Sequence, residues 1–247
     1  MKVLVVGASG ATGRLLVKEL LARGLSVLAI VRSAQRFSQA VGNHDRLSVL
    51  EAAVLDLSQE QLEQCVGGCQ AVASCLGHTL SFKGVYGSPR RLVAETTRRL
   101  CEAMKANPAE RPAKFVLMNS TGCRNHDIGE TVSLPERCVV GLIRLLVPPH
   151  RDNELASAYL RREVGQGDEG LEWVVVRPDG LVDAERVSKY EIHPSPIRSA
   201  IFDSGKTSRI NVAHFMASLL CEQSLWETWQ GRTPVVYNVA SGEAGAG

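Results

Sequence analysis

The first 31 residues place a glycine-rich turn between a strand and a helix. Residues 2–6 form a short apolar run, which is too short for a helix core and fits a buried parallel strand. The next segment reads Gly7-Ala8-Ser9-Gly10-Ala11-Thr12-Gly13. Residues 14–22 then place leucines on one helical face, and a second apolar run follows at residues 27–31. This strand–turn–helix–strand unit predicts a parallel α/β sheet.

The chemistry of the turn predicts a dinucleotide site. A glycine turn that opens a helix exposes backbone N–H groups, and the positive end of the helix dipole lies behind them. Because glycine has no side chain, a pyrophosphate can approach the backbone closely. We expect the contacts to come from Gly7, Ser9, Gly10, Ala11, Thr12 and Gly13.

The end of the second strand indicates which dinucleotide binds. NAD enzymes place an Asp or Glu there to accept from the ribose 2′-hydroxyl, whereas a cation suits a 2′-phosphate. No acidic residue occurs between Glu19 and Asp45, and Arg32 stands nineteen residues beyond Gly13. Guanidinium groups pair bidentately with phosphate. The sequence therefore predicts NADP(H), although a solvated surface arginine is the alternative interpretation of Arg32.

Composition limits the class of protein. The 247 residues fit a single NAD(P)-binding domain over 1–247, with 45% apolar and 22% charged residues. The net charge of +2 gives no argument for a nucleic-acid partner, and the longest later apolar stretch is too short to span a membrane. Seven cysteines without a Cys-x-x-Cys pair indicate reduced thiols and no metal site. We expect a cytoplasmic protein whose oligomeric state the sequence leaves open.

Strands and helices alternate through the first half of the chain, which predicts a doubly wound parallel sheet with ligands at the carboxyl ends of its strands. Ser58 is expected to cap a helix over residues 59–66. A helix over 134–147 should end at Pro148-Pro149, and the next should run from Asp152 to Val164. Residues 179–234 should contain most of a small, loop-rich substrate lobe.

Several motifs, spread over nearly the whole chain, resemble the atypical short-chain dehydrogenase/reductase family, in particular its biliverdin-reductase-B-like and NmrA-like members. They are the glycine turn, Arg32, Asp56-Leu57, Ser120-Thr121-Gly122, Val176-Arg177-Pro178 and Tyr237-Asn238-Val239. The resemblance implies that Asp56 accepts from the adenine amino group and that Leu57 packs on the ring. It also implies that the cofactor lies along Cys75, Leu76 and Gly77, with Pro178 nearby; helix capping by Asp56 and core packing of Cys75 and Leu76 are the alternatives.

The resemblance also implies a catalytic serine or threonine at the end of strand five and a Tyr-x-x-x-Lys pair on the next helix. Ser120 and Thr121 occupy the strand end, but Leu155 stands where the tyrosine should be and Tyr159 where the lysine should be. Tyr159 heads a displaced Tyr-x-x-x-Glu, whose carboxylate would raise the phenol pKa. The candidate catalytic residues are therefore Ser120, Thr121 and Tyr159, without the standard pair.

Three explanations of the missing pair stay open. The proton can come from solvent; it can come from His78, Lys83, Tyr86, Tyr190 or His193; or the cofactor can be bound without being consumed, as in NmrA-like regulators. The main prediction is an NADPH-dependent oxidoreductase acting on a small carbonyl or conjugated substrate, enclosed by loops at 78–88 and 179–206. A non-catalytic redox sensor is the alternative, and epimerase or dehydratase chemistry is the weakest of the three.

Overall fold

A computed structural model describes residues 1–78, 87–108, 110–130 and 133–239. Its main sheet contains eight strands in the order β3-β2-β1-β4-β5-β6-β10-β8. All neighbours pair in parallel except β10 and β8, which are antiparallel. The strands are β1 Lys2–Val6, β2 Ser26–Val31, β3 Leu47–Glu51, β4 Ala71–Ser74, β5 Ala113–Met118, β6 Leu171–Pro178, β8 Tyr190–His193 and β10 Val235–Asn238.

Helices cover both faces of the sheet, as the alternating pattern predicts. The first apolar core joins the sheet to α1 Ala11–Ala22, α2 Ala34–Val41, α7 Arg209–Cys221 and α8 Gln223–Trp229. The second apolar core, on the opposite face, joins the sheet to α3 Gln59–Val66, α4 Leu92–Lys105, α6 Pro148–Tyr159 and a π-helical turn at Leu160–Val164. A further helix, α5, spans Leu134–Leu146. The predicted doubly wound α/β fold is confirmed.

Strands buried between two helical layers should be apolar on both sides. The side chains of Val3, Leu4, Val5 and Val6 are completely buried, with alternate residues in the two cores. The ends of the parallel strands then carry the loops at which a doubly wound sheet binds ligands.

The boundary between α5 and α6 differs from the prediction. Pro148 and Pro149 do not only follow a helix; they form the first turn of α6, which begins four residues before the predicted start at Asp152. Proline suits the first helical positions because the amide it lacks would have no intrahelical partner there. As a result, residues 150 and 151 belong to a helix that packs on the carboxyl end of the sheet.

The region predicted as a loop-rich lobe contains three short strands. β7 Gly180–Val182 and β9 Lys206–Ser208 form a separate two-stranded parallel sheet, while β8 becomes the edge of the main sheet. In the part of the chain that the structure describes, no helix combines the length and apolarity needed to cross a bilayer.

Candidate functional site

The glycine turn after β1 is packed so tightly that side chains cannot be added. Gly7 has a φ of +71°, and a Cβ on it would lie 2.5 Å from the carbonyl carbon of Cys75. A Cβ on Gly13 would lie 2.2 Å from the carbonyl oxygen of Gly7. The two glycines therefore allow the turn to lie against the end of β4 and the first turn of α1 to lie against the turn itself.

The start of α1 leaves room for an anion. Gly10 is the N-cap and contributes no side-chain hydrogen bond to the first turn. Ser9, Gly10 and Ala11 are exposed, whereas Thr12 is buried. Backbone amides at an uncapped helix start, next to a turn with no side-chain obstruction, fit the pyrophosphate of a dinucleotide. The residues present thus suit the predicted cofactor.

Arg32 follows β2 directly and is exposed at the carboxyl edge of the sheet. Ser33 caps α2, and Arg36 lies in the first turn of that helix. The carboxylate of Glu51, at the end of β3, accepts a hydrogen bond of 2.7 Å from the amide of Ala34. This carboxylate therefore acts as a second cap of α2.

The predicted adenine contacts lie in a loop that Arg99 holds. Its guanidinium donates to the carbonyl oxygens of Leu55 and Leu57. Asp56 is exposed, and Leu57 is half-buried against the second core. Asp56 does not cap α3, since Ser58 and Gln61 form a capping box there, as the predicted role of Ser58 requires.

The end of β4 presents backbone to the glycine turn. Cys75 is buried, with its Sγ 4.0 Å from Sδ of Met216 in the first core, and burial raises the pKa of its thiol to about 12. Only its backbone can face a cofactor. Leu76 is half-buried and Gly77 is exposed. Pro178 is buried at the end of β6, where its carbonyl accepts from the amide of Thr121.

Ser120 and Thr121 follow β5, but their hydroxyl groups have different surroundings. The Thr121 hydroxyl donates to the carboxylate of Asp179 at 3.2 Å, which connects the ends of β5 and β6. Burial raises the pKa of Asp179. Ser120 is only half-buried, and its Oγ accepts from the amide of Gly122 at 3.2 Å. Ser120 is therefore the hydroxyl better placed to meet a substrate.

His150 lies beside Ser120, and sequence reasoning missed it. A Cβ placed on Gly122 would lie 3.6 Å from Oγ of Ser120 and 3.5 Å from Cε1 of His150. The hydroxyl and the imidazole therefore border the same small gap, which exists because residue 122 has no side chain. Two signals could have identified His150: the prolines that begin α6, and the one-turn spacing of His150 and Glu154 on the helix that should have carried the missing pair.

Glu154 lies within ion-pair distance of this histidine. Its Oε1 lies 3.4 Å from Nε2 of His150, and its carboxylate also accepts two hydrogen bonds from Arg144. Burial by itself raises the pKa of Glu154, but the contacts with His150 and Arg144 outweigh it and hold this pKa at about 2. The carboxylate is thus ionised at physiological pH, and the Nδ1 and Cε1 side of the imidazole faces Gly122.

Tyr159 is not brought together with Ser120 and Thr121. It ends α6, about 14 Å along the helix axis from His150. Its ring packs on the second core, where burial raises its pKa to about 12 with smaller contributions from Cys101 and Glu102. Burial, more than the predicted Glu163, is thus the main reason that this phenol is a poor acid.

The other candidates for a proton donor have their own partners. Tyr190 bonds to Nδ1 of His214, and burial raises its pKa to about 12. His193 lies 3.3 Å from its neighbour Glu191. Nε2 of His78 lies 2.8 Å from the buried carboxylate of Asp152, which also accepts from the amides of Val93 and Ala94. Lys83 and Tyr86 lie outside the described residues.

The parallel strand order, with a glycine turn after its first strand, defines a Rossmann-type dinucleotide-binding protein. The chain belongs to the NAD(P)H-binding family, whose model matches residues 7–223. The predicted family resemblance is confirmed at this level.

Solved structures share the fold over almost the entire chain. A short-chain dehydrogenase/reductase of Veillonella parvula in complex with NADP has a TM-score of 0.70 and 16% identity, over 97% of this chain and 95% of that one. An anaerobilin reductase of Escherichia coli has a TM-score of 0.67 and 18% identity, over 97% and 98%. A candidate NADH-flavin reductase of Streptococcus pneumoniae has a TM-score of 0.66 and 18% identity, over 97% and 100%.

An uncharacterised chloroplast protein of Arabidopsis thaliana is 27% identical over 181 residues. The match covers 73% of this chain but only 59% of that protein, so the chain spans less than two thirds of this relative. A cytoplasmic location stays a prediction.

Proposed function

We propose that the protein is an NADPH-dependent reductase of a small carbonyl or conjugated substrate. The observation that carries the proposal is the placement of Ser120 and His150 on one gap at the end of β5, two strands from a glycine turn that suits a dinucleotide. Reductases among the structures of the same fold support it.

In this proposal the glycine turn holds the pyrophosphate and Arg32 holds the 2′-phosphate. A bound reduced nicotinamide supplies a hydride to the electrophilic carbon of the substrate. Ser120 donates a hydrogen bond to the substrate oxygen and so orients it. The electron pair of the C=O bond moves to that oxygen, which takes a proton from protonated His150; the imidazole then recovers a proton from water. Glu154 positions the imidazole.

Cofactor choice is tested at Arg32. The change Arg32→Ala should weaken NADPH binding by about 1.5 to 3 kcal/mol, the range for a hydrogen bond to a charged group, and leave NADH binding nearly unchanged. Isothermal titration calorimetry with both cofactors measures the difference. The exposed Arg111 provides the control, since Arg111→Ala should alter neither affinity. Equal losses for NADPH and NADH would refute the assignment of Arg32.

The proton donor is tested at His150. The change His150→Gln should lower kcat about a hundredfold, the lower end for general acid catalysis, and leave the Kd for NADPH unchanged. Loss of nicotinamide absorbance with a panel of quinones, flavins and aldehydes measures turnover.

Two other histidines make the test specific. His193→Gln should leave kcat unchanged, because His193 contacts Glu191 on the edge strand. His78→Gln should lower the unfolding midpoint and leave kcat nearly unchanged, because its partner Asp152 connects β4, α4 and α6. If either variant lost all turnover while His150→Gln stayed active, His150 would not be the proton donor.

The absence of the Tyr-x-x-x-Lys pair supports a second candidate, a non-catalytic regulator of the NmrA-like type that responds to NADP(H). Tight NADPH binding without consumption across the whole substrate panel would favour the regulator over the reductase.

A further inference from the structure

A large cavity opens beside the Ser120–His150 gap. Its volume is about 1260 Å³, above the roughly 300–1,000 Å³ of common small-molecule pockets. Gly122 and Glu154, which border the gap and the imidazole, also line the cavity. We call it the arginine cavity, because its lining includes Arg124, Arg144, Arg161, Arg198 and Arg232.

The positive charge of the arginine cavity exceeds the negative charge. Three carboxylates line it, and each is already paired: Asp127 with Arg161, Glu154 with Arg144, and Glu130 with the buried Arg177. Among the described residues, Arg124 and Arg232 have no carboxylate partner. The wall of the arginine cavity therefore carries excess positive charge, which would attract an anionic ligand.

Two buried donors on this wall lack an acceptor. Nε of Arg124 and Nε of Arg161 are buried and donate to no atom of the described residues. The Arg161 side chain is only 6% exposed, and its Nη1 is already held by Asn125 and Asp127. Arg124 donates from its other side to the carbonyl oxygen of Glu130. Buried N–H groups normally have partners, so these two donors indicate an acceptor that the described residues do not supply.

The remaining wall combines polar residues, among them Gln166 and Ser199, with an apolar part. Trp173, Val140, Pro194 and Pro196 contribute to it, and Ile128 and Ile197 are more than half exposed at its edge. A small inorganic anion would leave these side chains in water, whereas an organic acid with an apolar body would cover them.

We propose that the arginine cavity binds an organic carboxylic acid with a large apolar body, through Arg124 and Arg161. This inference rests on the proposed reductase, because it assigns the substrate of that enzyme to the class of carboxylate-bearing carbonyl or conjugated compounds. The reacting bond lies at the Ser120–His150 gap, and the carboxylate lies against the two arginines.

Binding of a matched pair of fluorescent probes to the full chain, without cofactor, tests the inference. The probes are 1-pyrenebutyrate and 1-pyrenebutanol, which share one apolar body and differ in the carboxylate. The acid should bind about tenfold tighter, the low end for a hydrogen bond between charged groups. Arg124→Gln should remove most of this preference, as should Arg161→Gln, while Arg111→Gln at the exposed amino side of β5 should keep it.

Circular dichroism and thermal melting establish that each variant is folded; if Arg161→Gln unfolds, Arg124→Gln decides. Equal affinity for acid and alcohol, an unchanged preference in Arg124→Gln, or displacement of the acid by an equal concentration of inorganic phosphate would overturn the inference. Because no cofactor is present, a chain that consumes NADPH but ignores the carboxylate keeps the proposed function. If the protein preferred the acid but did not bind NADPH, the proposed reductase function would be refuted and the carboxylate site would stand.

Discussion

Gly7→Ala should lower the free energy of unfolding by about 2 to 5 kcal/mol. Two costs add: the backbone at +71° is unfavourable for an L-residue by about 1 to 2 kcal/mol, and the new Cβ would collide with backbone atoms of Cys75 and Leu76. These atoms follow β4 directly, and Cys75 is hydrogen-bonded to Val6 of β1, so they cannot move without disturbing the sheet. The turn should also lose its shape, and NADPH affinity should fall about tenfold or more. Urea unfolding and calorimetry measure the two effects.

A glycine in open space provides the control. Gly141 lies within α5, where an added Cβ meets nothing within 4 Å, and alanine is favoured over glycine inside a helix. Gly141→Ala should therefore leave the protein as stable as the wild type or stabilise it. If Gly7→Ala and Gly141→Ala had the same stability and NADPH affinity, the turn would not be packed against β4 as described.

Glu130→Ala should lower the free energy of unfolding by about 3 to 5 kcal/mol, the range for removing one partner of a buried ion pair. Arg177 is completely buried, and its guanidinium donates to both carboxylate oxygens of Glu130, at 2.6 and 3.2 Å. The carboxylate also accepts from the amide of Asn125. Without it, a charge would stay buried and unpaired, and the loop over residues 121–130 would lose one of its attachments to β6.

Chemical denaturation of Glu130→Ala beside Glu102→Ala measures this cost. Glu102 pairs with Arg98 on the surface, with more than 40% of each side chain exposed, so its loss should cost less than about 1 kcal/mol. Glu130→Gln keeps the size of the side chain and should still destabilise the protein more than Glu102→Ala. Similar midpoints for all three variants would show that the buried pair contributes little.

Local patterns in the chain were sufficient for the fold and for the glycine turn, whereas the cofactor contacts stay predictions. Apolar runs of five or six residues, the glycine turn and the Ser58 cap all act between neighbours in sequence, so their outcome can be predicted from spacing. The end of β5 was also located correctly, because parallel strands in such a sheet present their loops at one edge. Arg32 is at the predicted strand end, and its preference for NADPH stays a prediction.

The arrangement of Ser120 and His150 depends on distant contacts. The prediction relied on the position of Tyr159, but α6 begins at Pro148, and its register points the tyrosine into the second core and brings His150 next to Gly122. Similarly, no local pattern shows that Arg177 is matched by Glu130 while Arg124 is left without an acid. These pairings join residues that are tens of positions apart, and only the packing of helices and loops on the sheet selects them. The sequence alone therefore determined a dinucleotide-binding fold with its glycine turn. The tertiary structure decided which side chains lie together at the candidate site, because burial and charge pairing are properties of the packed chain.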